Sequence, residues 1–504
     1  MFASPSLKGG MMSFKESLDP IFKKLPAVAS PEGHVHFKTK IMWTLGVLVL
    51  YFALANVPLF GLSADSIDLF EQYRAFFAGA SNSLILLGIG PIVTASIVLQ
   101  LLVGADVIKL DLSDSSDQAF FQGAQKFMVF VMIVLEALPQ IMGGYIQPDL
   151  DLASSLGVSG TIIILIIFIQ ICIGGVLILF MDEVVSKWGI GSGVGLFIVA
   201  GVSQQIVTGL FNWQADSSGL PIGFLPKWIY IIQNEDLVTL FTTGQGLLFV
   251  LVSGGILALV STIIIFLLVV FVESTRIEIP LAHSAVRGAR GKFPVKLIYA
   301  SVLPMILVRA LQANIQLIGL LLSGRGITFL GEYVGSNPIN GVMYYLAPIH
   351  SPYDWIPSLV RDSFSSMGAP VPAIWQIGLH VFIDAVFLIV GGVIFALFWI
   401  ETTGMGAKQT AQKVFNSGMQ IPGFRRNVGS IEKVMVRYIP KVTVIGGVFI
   451  GLLTLIASLL GTLGSAGGTG LLLTVSIVYR LYEDIASEQM MEMHPMIRSF
   501  FGKD

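Results

Sequence analysis

Ten apolar stretches set the limits on what this chain can fold into. They fall at about 41–61, 83–103, 127–147, 160–181, 190–212, 245–272, 297–322, 373–400, 442–463 and 467–482. A helix rises about 1.5 Å per residue, so about 20 apolar residues cross a hydrocarbon layer of roughly 30 Å. Lipid offers the backbone no hydrogen bonds, so successive apolar runs of this length pack as a helical bundle. With 54% hydrophobic and only 12% charged residues, the chain is a polytopic membrane protein and not a water-soluble core. The last run is short and rich in Gly and Thr, which leaves its ends the least defined.

Residues 1–40 carry six lysines and no apolar core of the kind found in a cleavable signal, so the first span is expected to be retained. Ten spans place both termini on one side. Putting them in the cytoplasm assigns 24 of the 29 Lys and Arg residues to that side. Arg74, Lys227, Arg325 and Arg361 are left outside, and Arg309 falls inside the seventh span. Basic residues stay inside, so this orientation is expected. One loop dissents: Gly104–Gln125 holds four aspartates against Lys109, but acidic residues count little in the rule.

The second run, Ser83–Val103, reads SLILLGIGPIVTASIVLQLLV and is no plain lipid-facing span. Gly88, Gly90 and Pro91 loosen the backbone near its middle, and Thr94, Ser96 and Gln100 follow. Loosened backbone is tolerated at membrane depth only against protein or a cavity, so this helix is expected to face inward. Just before it, Leu62–Ala80 is too polar and broken to span, with apolar residues at roughly helical spacing. Two cytoplasmic loops concentrate basic charge. Residues 273–296 carry Arg276, Arg287, Arg290, Lys292 and Lys296, and residues 401–441 include Arg425 and Arg426. Their Pro and Gly residues suggest projecting hairpins. Charge alone leaves open whether they serve topology and anionic lipid or dock on polyphosphate such as RNA. The external stretch 323–372, rich in Gly, Pro and Tyr, is long enough to need structure of its own.

Enzyme motifs are missing. The sequence has no G-x-x-x-x-G-K-[ST], no H-E-x-x-H and no G-x-S-x-G. Its single cysteine, Cys172, excludes an internal disulfide, and the six histidines are scattered. Gly189–Gly195 has the glycines of a nucleotide loop but no strand before it, so close helix packing is the better reading. Polar groups within the spans are more telling: Thr94 and Gln100, Glu136, Arg309, Gln312, Asn314 and Gln316, and Asp384. Such groups face protein or water. They suit either a polar helix seam or the ion site of a secondary transporter with inverted repeats, the alternative function. An internal pair between Arg309 and Asp384 stays open.

From about Val35 to its end the chain resembles the SecY family, in its archaeal form. The resemblance rests on LGIGPIVTASIVLQLL (87–102), FFQGAQKFM (120–128), MDEVVSKWGIGSGVGLFIVAGVSQ (181–204), RIEIPLAH (276–283), ANIQLIGL (313–320), FWIETTG (398–404), GFRR (423–426) and GTGLLLTVSIVYRLYE (468–483), in that order. It implies an all-α membrane protein of ten transmembrane helices, in two inverted five-helix halves around an hourglass pore. The divisions are a cytoplasmic segment (1–40), an N-terminal half (41–212), an external hinge loop (213–244), a C-terminal half (245–482) and a cytoplasmic tail (483–504). The implied function is a protein-conducting channel in the cell membrane. It would pass secretory chains across and release hydrophobic segments sideways between the second and seventh spans, with no cofactor, metal or catalytic residue.

Carried over position by position, the resemblance assigns a pore ring to Ile89, Val93, Val194, Ile198, Leu303, Ile306 and Leu473. Val194 replaces a commoner Ile. It assigns a plug to about 64–76, with Leu69, Phe70 and Tyr73 toward the ring, and lateral-gate polar residues to Thr94, Glu136 and Asn314. Ribosome contacts fall to Arg287, Arg290, Lys292, Arg425 and Arg426, although Glu278 stands where relatives are often basic. The implied partners are two small single-span translocon subunits (SecE or gamma type, and beta type), the ribosome, the signal recognition particle receptor pathway, the nascent polypeptide and membrane lipid.

Overall fold

The computed structural model describes residues 20–493 apart from 23, 34, 64–65, 67–76, 105–106, 109, 111–114, 144, 216–218, 235, 284–289, 297–301, 417–418, 421–426 and 465. Ten principal helices follow in order: α1 (Phe37–Ala55), α2 (Gly90–Gly104), α3 (Ser115–Met142), α4 (Gly160–Trp188), α5 (Gly193–Phe211), α6 (Ile256–Ser274), α7 (Leu303–Gly324), α8 (Ile374–Thr402), α9 (Val428–Leu460) and α10 (Gly467–Met493). Eight of them are long and apolar enough to cross a membrane. The short apolar α2 and the Gly- and Thr-rich α10 complete the ten. Their buried faces merge into one hydrophobic cluster that takes in residues of both halves, from Val47 in α1 to Val475 in α10.

The second apolar run is only partly helical. Residues 84–89 form consecutive turns, and the helix starts at Gly90 with Pro91 in its first turn. The reason lies at Gly88. Its φ is +55°, and a Cβ there would sit 2.1 Å from the Phe77 carbonyl oxygen. The next residue completes the contact, with the Ile89 N–H donating to Phe77 O at 2.7 Å. This irregular stretch is buried in protein, with Ile85, Leu86, Leu87 and Ile89 all inside the core, as non-helical backbone at membrane depth must be.

Elsewhere the helices outrun the apolar runs on the side expected to be cytoplasmic. A separate helix (Ala407–Asn416) follows α8. α9 begins at Val428, well before the apolar run at 442, and the Asn427 side chain caps it by accepting from the Gly429 N–H at 3.2 Å. α10 continues past 482 to Met493, because its last turns find partners in solvent-side ion pairs rather than in lipid.

The two basic loops meet in one sheet. β1 (Arg276–His283) pairs antiparallel with β2 (Arg290–Lys296), and β1 also pairs with a short strand from the second loop, Met419–Gln420, giving the order β2, β1, second-loop strand. Between α7 and α8, residues 325–373 carry a small hairpin (Tyr333–Val334 with Asn337–Pro338) and helices at Gly341–Leu346 and Pro357–Ser366. Side chains of α7 and α8 fasten this segment. Gln312 Nε2 donates to Leu346 O at 2.9 Å, Gln316 Nε2 to Met343 O at 2.9 Å, and His380 Nε2 to Ala347 O at 2.8 Å. The hinge stretch likewise holds a helix, Phe224–Asn234.

Candidate constriction, gate and docking loops

The seven positions assigned to the ring all belong to, or pack against, the one large hydrophobic core cluster. Ile89, Val93, Ile198, Ile306 and Leu473 are buried in it, and the half-buried Val194 and Leu303 pack against it. Positions three or four apart on α5 and α7 present one helix face, which brings Val194 with Ile198 and Leu303 with Ile306. A dry aliphatic constriction offers an ion no ligand, so a permeating ion would face the desolvation penalty unrelieved. Val194 is fixed from α4: its N–H donates to the buried Asp182 Oδ1 at 2.9 Å. A Cβ at Gly193 would sit 2.5 Å from Asp182 Cα, so only glycine allows this approach. Toward the Arg480 end of α10 a cavity of about 390 Å³ opens against Leu303, Trp399 and Ile477, with Arg480 and Asp484 also lining it. Burial raises the Asp484 carboxyl above the usual range while Arg480 opposes the shift.

The three gate residues also converge. Asn314 Nδ2 of α7 donates to Thr94 Oγ1 of α2 at 3.3 Å, and also to Ala310 O at 2.9 Å. Glu136, buried on α3, stands against the same helix α2, its Oε2 only 2.9 Å from where a Cβ at Gly90 would lie. The hydrogen-bonded link therefore joins α2 of one half to α7 of the other, with Glu136 of α3 beside it.

Arg309 and Asp384 form a pair, and the structure locates it within one half. Arg309 Nη1 lies 3.2 Å from Asp384 Oδ1, with both side chains almost wholly buried. The guanidinium also donates to Gln312 Oε1 at 2.7 Å, Ser458 Oγ at 3.2 Å and Thr469 Oγ1 at 3.1 Å. The network ties α7 to α8, α9 and α10. Its members are set among apolar residues of the core, with Val308 and Ala310 beside Arg309 and Ala457 beside Ser458.

The plug residues Leu69, Phe70 and Tyr73 lie outside the described residues, as do Arg287, Arg425 and Arg426. Arg290 and Lys292 lie on β2, in register with Ala282 and Pro280 of β1. Sequence reasoning missed two contacts at the end of the plug segment. Phe77 O receives the Ile89 N–H, as above, and Ala78 O accepts from the buried Tyr51 hydroxyl at 2.9 Å. The signal available was a lone tyrosine inside the first apolar run. The strand from the second loop that joins the hairpin was also missed; at two residues it leaves no pattern to read.

A bundle of ten principal helices, eight of them long and apolar enough to span and knit by one aliphatic core, defines a multi-pass membrane protein. Comparison with known proteins agrees. A SecY family model matches residues 83–482, and a model described as the plug domain of Sec61p matches residues 49–81. A protein translocase subunit SecY from Archaeoglobus fulgidus is 59% identical over 497 residues, covering 98% of this chain and 100% of that protein. A solved protein-conducting channel superposes with a TM-score of 0.76 at 38% identity, covering 95% of this chain and 98% of that one. Canine Sec61 in a ribosome–channel complex from the endoplasmic reticulum gives 0.73 at 38% identity, with the same coverage. The chain belongs to the SecY family, in its archaeal form. Its fold is accordingly two inverted five-helix halves around an hourglass pore.

Proposed function

We propose that the chain is the central subunit of a channel that passes secretory polypeptides across the membrane and releases hydrophobic segments sideways into lipid. What supports this reading is that Ile89, Val93, Val194, Ile198, Leu303, Ile306 and Leu473, carried by helices of both halves, are all aliphatic and belong to or pack against one core cluster. A translocating chain changes its side chains continuously. A wall of aliphatic groups offers it no fixed hydrogen bonds and closes on whatever passes. A transporter would instead need convergent polar groups at that depth, and the relatives are named as translocase subunits.

The plug at about 64–76, with Leu69, Phe70 and Tyr73 toward the ring, closes the outer side of the idle channel. Thr94, Glu136 and Asn314 hold the lateral gate. Hydrogen bonds between helices in lipid are worth about 1 kcal/mol each, weak enough for an apolar signal helix to displace by reaching lipid. Both termini face the cytoplasm, where the three-stranded sheet and Arg287, Arg290, Lys292, Arg425 and Arg426 dock a ribosome through its RNA. Canine Sec61, 38% identical to this chain, occurs in such a complex. Two small single-span subunits complete the channel, and the signal recognition particle receptor pathway delivers the substrate. The chain itself performs no catalysis, and the force comes from its partners.

The test is a photocrosslinker at Val194 in the membrane-embedded complex, engaged by a ribosome bearing a stalled secretory chain. Crosslinks to the middle of the nascent chain, lost when the signal is disabled, are expected. Crosslinks confined to lipid and neighbouring helices would remove Val194 from the path.

A further inference from the structure

The cytoplasmic end of α10 is held on two sides by different halves of the molecule. On one side, Glu483 is forked between two cations: Oε1 lies 2.6 Å from Arg276 Nη2, and Oε2 pairs with Lys296 Nζ. These cations are directly opposite each other in the β1–β2 ladder, at the base of the basic hairpin. The Lys296 ammonium also sits 5.6 Å from the centre of the Tyr479 ring, one turn back from Glu483 on the same helix face. On the other side, Glu488 Oε1 lies 2.7 Å from Lys40 Nζ, and Glu492 Oε1 accepts from the Phe37 N–H at 2.6 Å. Phe37 and Lys40 open α1, the first helix of the N-terminal half. Glu483 and Glu488 are five residues apart, about 140° round the helix, which is why one helix reaches both neighbours.

The same helix carries Leu473 of the constriction, ten residues and about 15 Å along the axis from Glu483. No proline interrupts the helix between them. The other end is anchored: a Cβ at Gly468 would sit 2.4 Å from the Ala457 backbone of α9, and Thr469 Oγ1 accepts from Arg309 Nε at 3.1 Å, so movement at the Glu483 end turns the helix about this fixed point. The hairpin cannot shift at its base without either breaking the Glu483 fork or carrying α10 with it.

We infer that Glu483 is a positioning residue that fastens the docking sheet to α10, so that a ribosome bound to the sheet moves Leu473 and loosens the ring. This rests on the reading of the sheet as the ribosome-docking surface. Glu483 touches neither the docked particle nor the translocating chain; it acts through the hairpin on one side and the helix on the other. The carboxylate supplies the tie because both cations need an acceptor at one point, which a neutral amide provides only with much weaker attraction.

The experiment uses the full chain with its small subunits in lipid vesicles, with Cys172→Ser and Leu473→Cys as the reporter background. A membrane-impermeant maleimide is added from the cytoplasmic side with and without idle ribosomes, and ribosome affinity is measured by co-sedimentation on the same vesicles. With Glu483 present, docking is expected to change the Leu473→Cys modification rate by about fivefold or more. Glu483→Gln is expected to keep its ribosome affinity and lose that change. Swapping the charges, Glu483→Lys with Arg276→Glu and Lys296→Glu, is expected to restore it. A full rate change in Glu483→Gln overturns the inference, as does normal docking with no rate change in the reporter background. Failure of the reporter background to bind ribosomes overturns the docking reading itself, a separate result.

Discussion

The Asn314 amide of α7 donates to the Thr94 hydroxyl of α2 across 3.3 Å. This bond is a polar link between the two halves, at the residues proposed for the lateral gate. Opening there exposes an amide and a hydroxyl to hydrocarbon unless the entering segment or water satisfies them. Replacing both Asn314 and Thr94 with Leu removes that cost and the bond, worth about 1 kcal/mol or about fivefold in the open–closed equilibrium. Less hydrophobic signals should then open the gate. A series of signals graded in Leu and Ala content, scored for insertion, reads the threshold directly, and an unchanged threshold would sink the assignment.

The Arg309–Asp384 pair lies wholly within the C-terminal half, so its part is to hold α7 against α8, α9 and α10 rather than to gate. Removing one partner leaves a buried charge uncompensated, which costs about 3–5 kcal/mol. Arg309→Met should therefore lower the thermal midpoint of the detergent-solubilised protein markedly. The double variant Arg309→Met, Asp384→Leu should recover most of the loss, because an apolar pair carries no desolvation penalty. Equal loss in the single and double variants would show that the ion pair is not what Arg309 contributes.

Much of this was legible in the sequence, for a physical reason. Spans announce themselves because lipid forbids alternatives, whereas the ring positions rest on the resemblance alone: aliphatic residues at helical spacing look the same in any apolar core. The Arg309–Asp384 pair was left open because two charges 75 positions apart carry no register that links them. The turns at 84–89 were taken into a helix because hydropathy is blind to backbone: Gly88 is apolar in composition, yet its φ of +55° and its contact with Phe77 O stop the helix there. The cytoplasmic extension of α10 was read as tail, since its helical form depends on Lys40, Arg276 and Lys296 arriving from distant parts of the chain.

The outer segment between α7 and α8 should make stability depend on pH. Burial, with help from the nearby Arg309 and His380, pushes the His350 imidazole down to about 3 from its ordinary 6.5. The unfolded chain then binds a proton near pH 6.5 that the folded chain refuses until about pH 3, so stability is greatest above 6.5 and falls as pH drops through that window. Asp354, which accepts from the His350 and Ser351 N–H groups, works in the opposite sense, because burial raises its carboxyl and the folded state takes up its proton first. The difference in unfolding midpoint between the parent and His350→Gln, followed from about pH 7 to 5, isolates the histidine, because the raised carboxyls of Asp354 and Asp484 are present in both. Across that interval the parent should lose stability relative to His350→Gln. Parallel curves would mean that His350 is accessible to protons in the folded state.

The seal has a support outside the ring, in Tyr51. Its hydroxyl, buried in α1, donates to Ala78 O at 2.9 Å, and the neighbouring Phe77 O receives the N–H of the ring residue Ile89 at 2.7 Å. Two adjacent carbonyls at the end of the plug segment are thus held from opposite sides, one by the first helix and one by the constriction. Tyr51→Phe keeps the ring stacked on Phe197, 5.1 Å between centroids, and deletes only the hydroxyl. The orphaned Ala78 carbonyl then costs about 1–3 kcal/mol in any state that buries it, so states with this segment released gain relative to the closed one. Ion conductance of vesicles carrying the idle channel should rise about fivefold or more, since 1 kcal/mol alone is worth that factor, while the folded fraction stays near that of the parent. Conductance equal to the parent's would mean that the Ile89–Phe77 bond alone holds the segment, and Tyr51 would then be only a packing residue of α1.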